Sequence, residues 1–205
     1  MQTFVPYGTD FYATARCLDD KRLGKQRVEA YQILRALLNE THGWKNHPAT
    51  KMWYGYEEAL VIYTQIICGE WVSRGYKDTV AAQVTELAGN YWNGVFGYFE
   101  PMTNTYWWHN LNHKMVEQSP PPYWYPVWLQ DTNLVSSHRS NLVCKDPEHY
   151  GPMWPSYLDA DPIKYVWPPL AKNPLLRHNT IVKDIGDGCK RNPYLFNNNN
   201  KEVPA

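Results

Sequence analysis

The chain has 205 residues, of which 43% are apolar and 15% aromatic, and its 20 basic and 20 acidic residues give a formal net charge of zero. This length is sufficient for one domain with a hydrophobic core. The charge balance excludes attraction of a polyanion by bulk charge, so a nucleic-acid site would require local clusters of basic residues. No apolar run approaches the roughly 18 residues of a membrane span, and the N-terminal sequence lacks the pattern of a signal peptide. We therefore expect a cytoplasmic protein that is not secreted.

Two helices are predicted near the N-terminus. The first covers residues 10–17, with Thr9 or Asp10 as its cap. Asp19 caps the second, which continues to about residue 39. Arg27 falls inside the apolar stripe of this helix, so it requires a partner when buried. The stripe contains Leu23, Ala30, Leu34, Leu37 and Leu38.

The rest of the chain predicts further helices separated by irregular segments. One helix covers about residues 49–73, ended by Gly75, and others cover 78–87 and 128–143. An aromatic insertion at about 89–127 is broken by Gly and Pro, and we assign it no element. The prediction is an all-α fold with a single compact helical domain over 1–170, followed by an irregular proline- and aromatic-rich tail over 171–205.

The cysteine and histidine spacings predict neither a disulfide framework nor a metal site. The four cysteines form no CxxC pair. His109 and His113 lie four apart in "HNLNH", which lacks the glutamate of an HExxH site. The phosphate-binding glycine motifs of nucleotide enzymes are also missing. We therefore expect no metal and no cofactor.

Two basic clusters are candidates for contacts with a nucleic acid. The first half of the predicted second helix carries Lys21, Arg22, Lys25 and Arg27, and Glu29 follows one turn after Lys25. The second cluster lies in "SSHRSNLVCKDPEHYG", where Ser and Asn accompany His138, Arg139, Lys145 and His149. Basic side chains with small polar neighbours are typical of phosphate contacts. An ordinary solvated helix face is the alternative for both clusters.

Several longer strings resemble a bacterial and phage family of pyrimidine-dimer DNA glycosylases, related to the endonuclease V type of glycosylase/AP lyase. They include "LDDKRLGKQRVEAYQILRAL", "GWKNHPATKMWYGYEEAL", "SSHRSNLVCKDPEHYG" and "YVWP". The resemblance covers most of residues 1–87 and 128–168. It implies an all-helical, monomeric, nucleoid-associated enzyme that acts on double-stranded DNA. In such an enzyme an amine attacks the sugar C1′, a carboxylate assists, and an imine between protein and DNA permits strand cleavage.

The string "QRVEAY" places Glu29 at the position of the catalytic glutamate in this family. Val28 stands where the family pattern has arginine, so Arg22 or Lys25 must supply the positive charge. The nucleophile stays open between the α-amine of Met1 and the side chains of Lys21 and Lys25. An α-amine has a pKa of about 8 against about 10.4 for lysine, which favours it at neutral pH.

The resemblance also suggests which residues contact DNA. His47 is expected to reach the site from a neighbouring loop, and His138, Arg139 and Lys145 to hold the phosphates on the other flank. An aromatic residue is expected to fill the gap left by a displaced base. The candidates are Trp53, Trp124 and Tyr150. Two alternatives remain: a nucleic-acid-binding module without catalysis, and a nucleoside- or RNA-processing enzyme on the same scaffold.

Overall fold

A computed structural model describes most of the first 168 residues and contains seven α-helices within the described residues. The described residues are 2–38, 43–91, 97–100, 105–109, 115–118 and 125–168. The helices are α1 (Phe11–Cys17), α2 (Asp20–Leu38), α3 (Pro48–Trp53), α4 (Glu57–Ser73), α5 (Val80–Tyr91), α6 (Thr132–Lys145) and α7 (Pro147–Tyr150). The predicted helical fold is confirmed. The predicted tail over 171–205 lies outside the described residues.

The aromatic insertion contains a small antiparallel sheet, for which the sequence analysis assigned no element. Its strands are β1 (Gly97–Glu100), β2 (Thr105–His109) and β3 (Met115–Gln118), in the order β1-β2-β3. Tyr98 pairs with Trp107, and Trp107 pairs with Glu117. Aromatic residues favour strands. Strands of only four or five residues are too short for a clear alternating pattern, which is why the sequence did not reveal them.

Two helices predicted as continuous are interrupted in the structure. The prediction over 49–73 is wrong at its middle, because α3 and α4 are separated at Gly55, which has a φ of 85°. Glycine adopts this left-handed conformation without the steric cost of a Cβ. The prediction over 128–143 is also wrong, since a 3-10 turn at Val127–Gln130 precedes α6. Asp131 begins α6 by accepting a hydrogen bond from the Asn133 amide at 2.8 Å.

Helix α4 is the centre of the hydrophobic core. Residues 59–64 are all buried, so this part of the helix has no solvent-facing side. It packs against α1, α2 and α5. Helix α2 contributes the predicted stripe, in which Leu23, Ala30 and Leu34 are fully buried. The opposite, polar side of α2 is therefore not used in the core and can line the candidate site.

Arg27 has the partner that its position in the apolar stripe requires. Its guanidinium forms an ion pair with Asp78, whose side chain is only 4% exposed, and lies 4.4 Å from the centre of the Trp71 ring. The second carboxylate oxygen of Asp78 accepts from the Ala81 amide at 2.8 Å at the start of α5. Arg27 therefore joins α2 to the end of α4 and to α5.

Other features concern only the part of the chain that the structure describes. None of its helices combines the length and apolar character needed to cross a membrane. Its three cysteines, Cys17, Cys68 and Cys144, are all free thiols. No three metal-binding side chains in these ranges come close enough together to hold an ion.

Candidate active site

The N-terminal segment, residues 2–5, is buried between the helices and belongs to no helix or strand. Such a segment cannot satisfy its own backbone groups, which must find partners elsewhere. Side chains from α2, α4 and α6 supply most of them. Gln26 of α2 accepts from the Phe4 amide at 2.9 Å and donates to the Gln2 carbonyl at 2.6 Å. Tyr63 of α4 donates to the Phe4 carbonyl at 2.8 Å.

The remaining anchors of this segment come from α3 and α6. The Trp53 indole donates to the Thr3 hydroxyl at 2.8 Å. The Val5 amide donates to Nδ1 of His138 at 3.0 Å, and Nε2 of the same ring lies 3.1 Å from the Gln2 side-chain amide. The position of residues 2–5 is therefore determined by four helices, α2, α3, α4 and α6.

His138 is a structural residue, and its predicted contact with phosphate is wrong. The side chain is fully buried, and burial lowers the pKa of His138 to about 3. The ring is therefore neutral at physiological pH and cannot attract a phosphate. Its function in the fold is to hold Val5 and Gln2.

The burial of His138 predicts a loss of stability in mild acid. The unfolded chain takes up a proton below a pKa near 6.5, whereas the folded chain does not until about pH 3. The stabilisation is complete above pH 6.5 and falls as the pH is lowered. We expect the free energy of unfolding to be about 2 kcal/mol lower at pH 5 than at pH 7. Urea unfolding at both pH values measures this difference.

Two variants identify the group responsible. His149 is exposed on α7, so His149→Gln should keep the full difference between pH 5 and pH 7. His138→Gln should be less stable at pH 7 and lose most of the difference. An unchanged difference in His138→Gln would assign the acid sensitivity to another group.

A cavity of about 350 Å³ opens beside the N-terminal segment. Its lining includes three lysines, Lys21, Lys25 and Lys145, and two aromatic rings. Glu29 lies in the same cavity. The complete lining is Gln2, Phe4, Lys21, Arg22, Lys25, Gln26, Glu29, Lys145 and Tyr165. Five residues proposed from the sequence thus meet in one place: Lys21, Arg22, Lys25, Glu29 and Lys145.

Glu29 lies between the start of the chain and a lysine. Its Oε2 accepts from the Gln2 backbone amide at 3.2 Å, and its Oε1 lies 3.7 Å from Nζ of Lys25. The Glu29 side chain is 15% exposed, whereas that of Lys25 is 72% exposed. The carboxylate is therefore fixed by the fold, and the amine beside it stays accessible to a ligand.

Arg22 is committed to contacts within the protein, although it lines the cavity. Its guanidinium donates to Asp19 at 3.1 Å, to Asp146 at 3.2 Å and to the Lys145 carbonyl at 2.8 Å. These bonds join the first turn of α2 to the end of α6. Arg22 therefore positions Lys145 at the cavity, and Lys25 is the cation that forms an ion pair with Glu29.

The His47 ring contacts two tryptophans and is influenced by the charge of Glu29. The Nδ1 of His47 accepts from the Ala49 amide at 3.1 Å and caps α3. The ring meets Trp44 and Trp167 edge-on, at 5.7 and 6.1 Å between centroids. Burial lowers the pKa of His47, and the Glu29 carboxylate opposes this shift. His47 therefore lies within electrostatic range of the cavity without lining it.

Three other residues predicted to contact DNA instead make contacts within the protein. Trp53 and Tyr150 are fully buried, so neither can stack on a displaced base, and both predictions are wrong. Tyr150 instead donates its hydroxyl proton to Asp19. Arg139 donates to the Pro6 carbonyl at 2.8 Å and lies over the rings of Tyr7 and Trp154. The candidates Met1 and Trp124 lie outside the described residues.

The sequence analysis did not identify Gln26, Phe4 or Tyr165 as part of the site. The role of Gln26 could have been predicted from the sequence. It is a polar residue between Leu23 and Ala30 in the apolar stripe of α2, and a polar side chain in such a position requires a buried partner. Phe4 looked like an ordinary core residue. Tyr165 is distant in sequence from the other lining residues and comes close only through the packing of residues 161–168 on α6.

Residues 1–84 match the model of a protein family described as pyrimidine dimer DNA glycosylase. The resemblance stated from the sequence is confirmed over this range, which contains Lys21, Lys25, Glu29 and His47. The match ends before α6, so the resemblance over 128–168 stays a prediction. No curated protein and no solved structure matches the chain significantly.

Proposed function

We propose, from the family match over residues 1–84 and the position of Glu29, that the chain is a DNA glycosylase that excises pyrimidine dimers from duplex DNA and has AP-lyase activity. The observation that carries this proposal is the hydrogen bond between Glu29 and the Gln2 amide, inside a cavity lined by lysines. This bond fixes the carboxylate of Glu29, and the Lys25 amine lies 3.7 Å from its other oxygen. An amine and a carboxylate together are what the excision of a base through an imine requires.

The α-amine of Met1 is our first candidate for the nucleophile. Met1 precedes Gln2, and the Gln2 amide belongs to the peptide bond that joins the two residues. That amide donates to Glu29. An α-amine is also neutral more often than a lysine at pH 7. Lys25, at 3.7 Å from Glu29, is the second candidate, and Lys21 the third.

The proposed reaction uses the carboxylate twice. The neutral amine attacks C1′ of the sugar, a C–N bond forms, and the bond from C1′ to the base breaks. The departing base takes a proton from water. The Glu29 carboxylate takes a proton from the attacking nitrogen, which became an ammonium on bond formation, and passes it to the sugar ring oxygen as the C1′–O bond breaks, which gives the protonated imine and restores the carboxylate. It then accepts the proton from C2′, and the 3′-phosphate leaves by β-elimination. Water finally hydrolyses the imine and releases the amine.

Lys145 should contribute a phosphate contact without reading the sequence of the DNA. Its side chain is exposed and lines the cavity. We expect Lys145→Ala to weaken binding similarly on all duplexes and to reduce the slope of log affinity against log salt by about one unit. Fluorescence anisotropy at several salt concentrations measures both effects.

Two substitutions serve as controls for this measurement. Lys77 is exposed and does not line the cavity, so Lys77→Ala should leave the slope unchanged. Arg139→Ala should lower the melting temperature, because Arg139 holds Pro6 and packs on two rings. Equal slopes for Lys145→Ala and the unmodified protein would place the phosphates elsewhere.

Trapping with borohydride tests the proposed amine chemistry. Reduction of the imine should join the protein covalently to an abasic or dimer-containing duplex. Peptide mapping of the trapped species then identifies the nucleophile, and we expect the N-terminal peptide. Recovery of the α2 peptide would assign the role to Lys21 or Lys25. Strand cleavage without any trapped species would exclude an imine, and the absence of both would favour a binding module without catalysis.

A further inference from the structure

We propose that Tyr165 contacts the substrate and stacks on the base attached to the sugar at Glu29, and that Ser137, Ser140 and Asn141 are positioning residues that hold it there. This inference rests on the proposed function. It assigns a role in substrate recognition to a part of the chain that the family match over residues 1–84 does not include.

Three side chains of α6 fix the segment that carries Tyr165. The Ile163 amide donates to the Ser140 hydroxyl at 2.9 Å, and the Asn141 amide group donates to the Ile163 carbonyl at 2.6 Å. The Val166 amide donates to the Ser137 hydroxyl at 3.3 Å. Backbone groups of a segment outside helices and strands need such partners.

These bonds give the small polar residues of α6 a role other than the one that their composition suggested. Ser137 and Ser140 are buried and so cannot contact phosphate. Their hydroxyl groups face residues 163–166 instead. The polar side of α6 therefore serves to bind a neighbouring segment of the same chain.

Neighbouring rings fix the orientation of Tyr165. Its ring lies 6.3 Å from Phe4, 5.9 Å from His138 and 6.0 Å from Trp167, measured between centroids. It is only partly buried and lines the cavity that contains Glu29. Burial and the charge of Glu29 raise the pKa of Tyr165 to about 12. The hydroxyl is therefore protonated at neutral pH and can donate a hydrogen bond.

The cavity lining contains groups for both parts of a nucleotide. Lys21, Lys25 and Lys145 supply cations suited to phosphate, and Phe4 and Tyr165 supply aromatic rings. Phe4 is 7% exposed, whereas Tyr165 has the more accessible ring. A base is flat and apolar on its faces, and stacking on an aromatic side chain tolerates any base. Glu29 would then lie beside the sugar, between phosphate and base.

The test compares the affinity of variants for two duplexes, in a Glu29→Gln background that prevents turnover. One duplex contains a cyclobutane dimer, and the other contains a stable abasic-site analogue that has no base to stack. We expect Tyr165→Ala to weaken binding of the dimer duplex roughly tenfold and to leave binding of the abasic duplex unchanged. Tyr165→Phe keeps the ring and should bind both duplexes normally.

The positioning role has its own readout. The double variant Ser140→Ala/Asn141→Ala should weaken binding of the dimer duplex only, and adding Tyr165→Ala to it should have no further effect. Tyr54 is exposed and does not line the cavity, so Tyr54→Ala is the matched control for loss of an aromatic side chain. If Tyr165→Ala does not fold, Tyr165→Leu provides the same comparison without an aromatic face.

The possible failures are distinguishable. If the Glu29→Gln parent does not prefer the dimer duplex to an undamaged one, the proposed function fails. If the parent has this preference and Tyr165→Ala loses affinity equally for both damaged duplexes, or for neither, the proposed function stands and the role of Tyr165 is excluded.

Discussion

Glu29→Gln is expected to reduce base release by 10²- to 10⁴-fold, on the order of the contribution of general acid–base catalysis, while DNA affinity stays nearly unchanged. Glutamine has the shape of glutamate and can still accept from the Gln2 amide, which now bonds Oε2 at 3.2 Å. It cannot transfer a proton. It also removes a negative charge from a cavity lined by three lysines, so binding of phosphate should not suffer. Single-turnover cleavage of the glycosidic bond in a dimer-containing duplex, read as strand cleavage after alkaline treatment, measures the effect.

A matched variant separates chemistry from charge. Glu86 is exposed on α5 and does not line the cavity, so Glu86→Gln removes the same charge and should retain full activity. A Glu29→Gln protein that melts normally and still releases bases at an unchanged rate would remove Glu29 from the reaction. The amine alone would then have to account for catalysis.

Arg27→Ala is expected to lower the free energy of unfolding by about 3 kcal/mol, because it leaves the carboxylate of Asp78 buried without its cation. The change also removes the contact between the guanidinium and the Trp71 ring. Urea unfolding at pH 7 measures the loss. Activity at temperatures well below the melting transition should remain, because Arg27 does not line the cavity.

Arg35 provides the control on the same helix. It is exposed, and its guanidinium lies over the Tyr31 ring at 5.8 Å. Arg35→Ala should cost less than 1 kcal/mol, as is usual for exposed positions. If Arg27→Ala melted normally but lost activity, Arg27 would be a residue of the site and the structural assignment would be wrong.

The sequence predicted those parts of the molecule that depend on local patterns. The stripe of Leu23, Ala30 and Leu34 defined the buried face of α2, and Arg27 inside that stripe required a partner, which is Asp78. Helix periodicity also placed Lys25 and Glu29 one turn apart, as the structure has them. These inferences need only the geometry of a single helix.

Contacts between distant segments could not be predicted in the same way. Aromatic and histidine side chains are common on surfaces that bind nucleic acids, yet three of those proposed for such a surface, Trp53, Tyr150 and His138, are fully buried. Tryptophan and tyrosine suit both cores and interfaces, so their identity does not reveal their exposure. The placement of the start of the chain beside Glu29 depends on side chains from four helices. No local pattern encodes that arrangement.

The most direct test of the proposed function is to compare strand cleavage of three duplexes, one ultraviolet-irradiated, one with an abasic site and one undamaged. We predict cleavage at dimer positions in the irradiated duplex and at the abasic site, and no cleavage of the undamaged duplex. Retention of all three duplexes that weakens with salt, without cleavage of any, would contradict the proposal and identify a binding module. Cleavage of the abasic duplex alone would exclude the excision of dimers and leave only the lyase step.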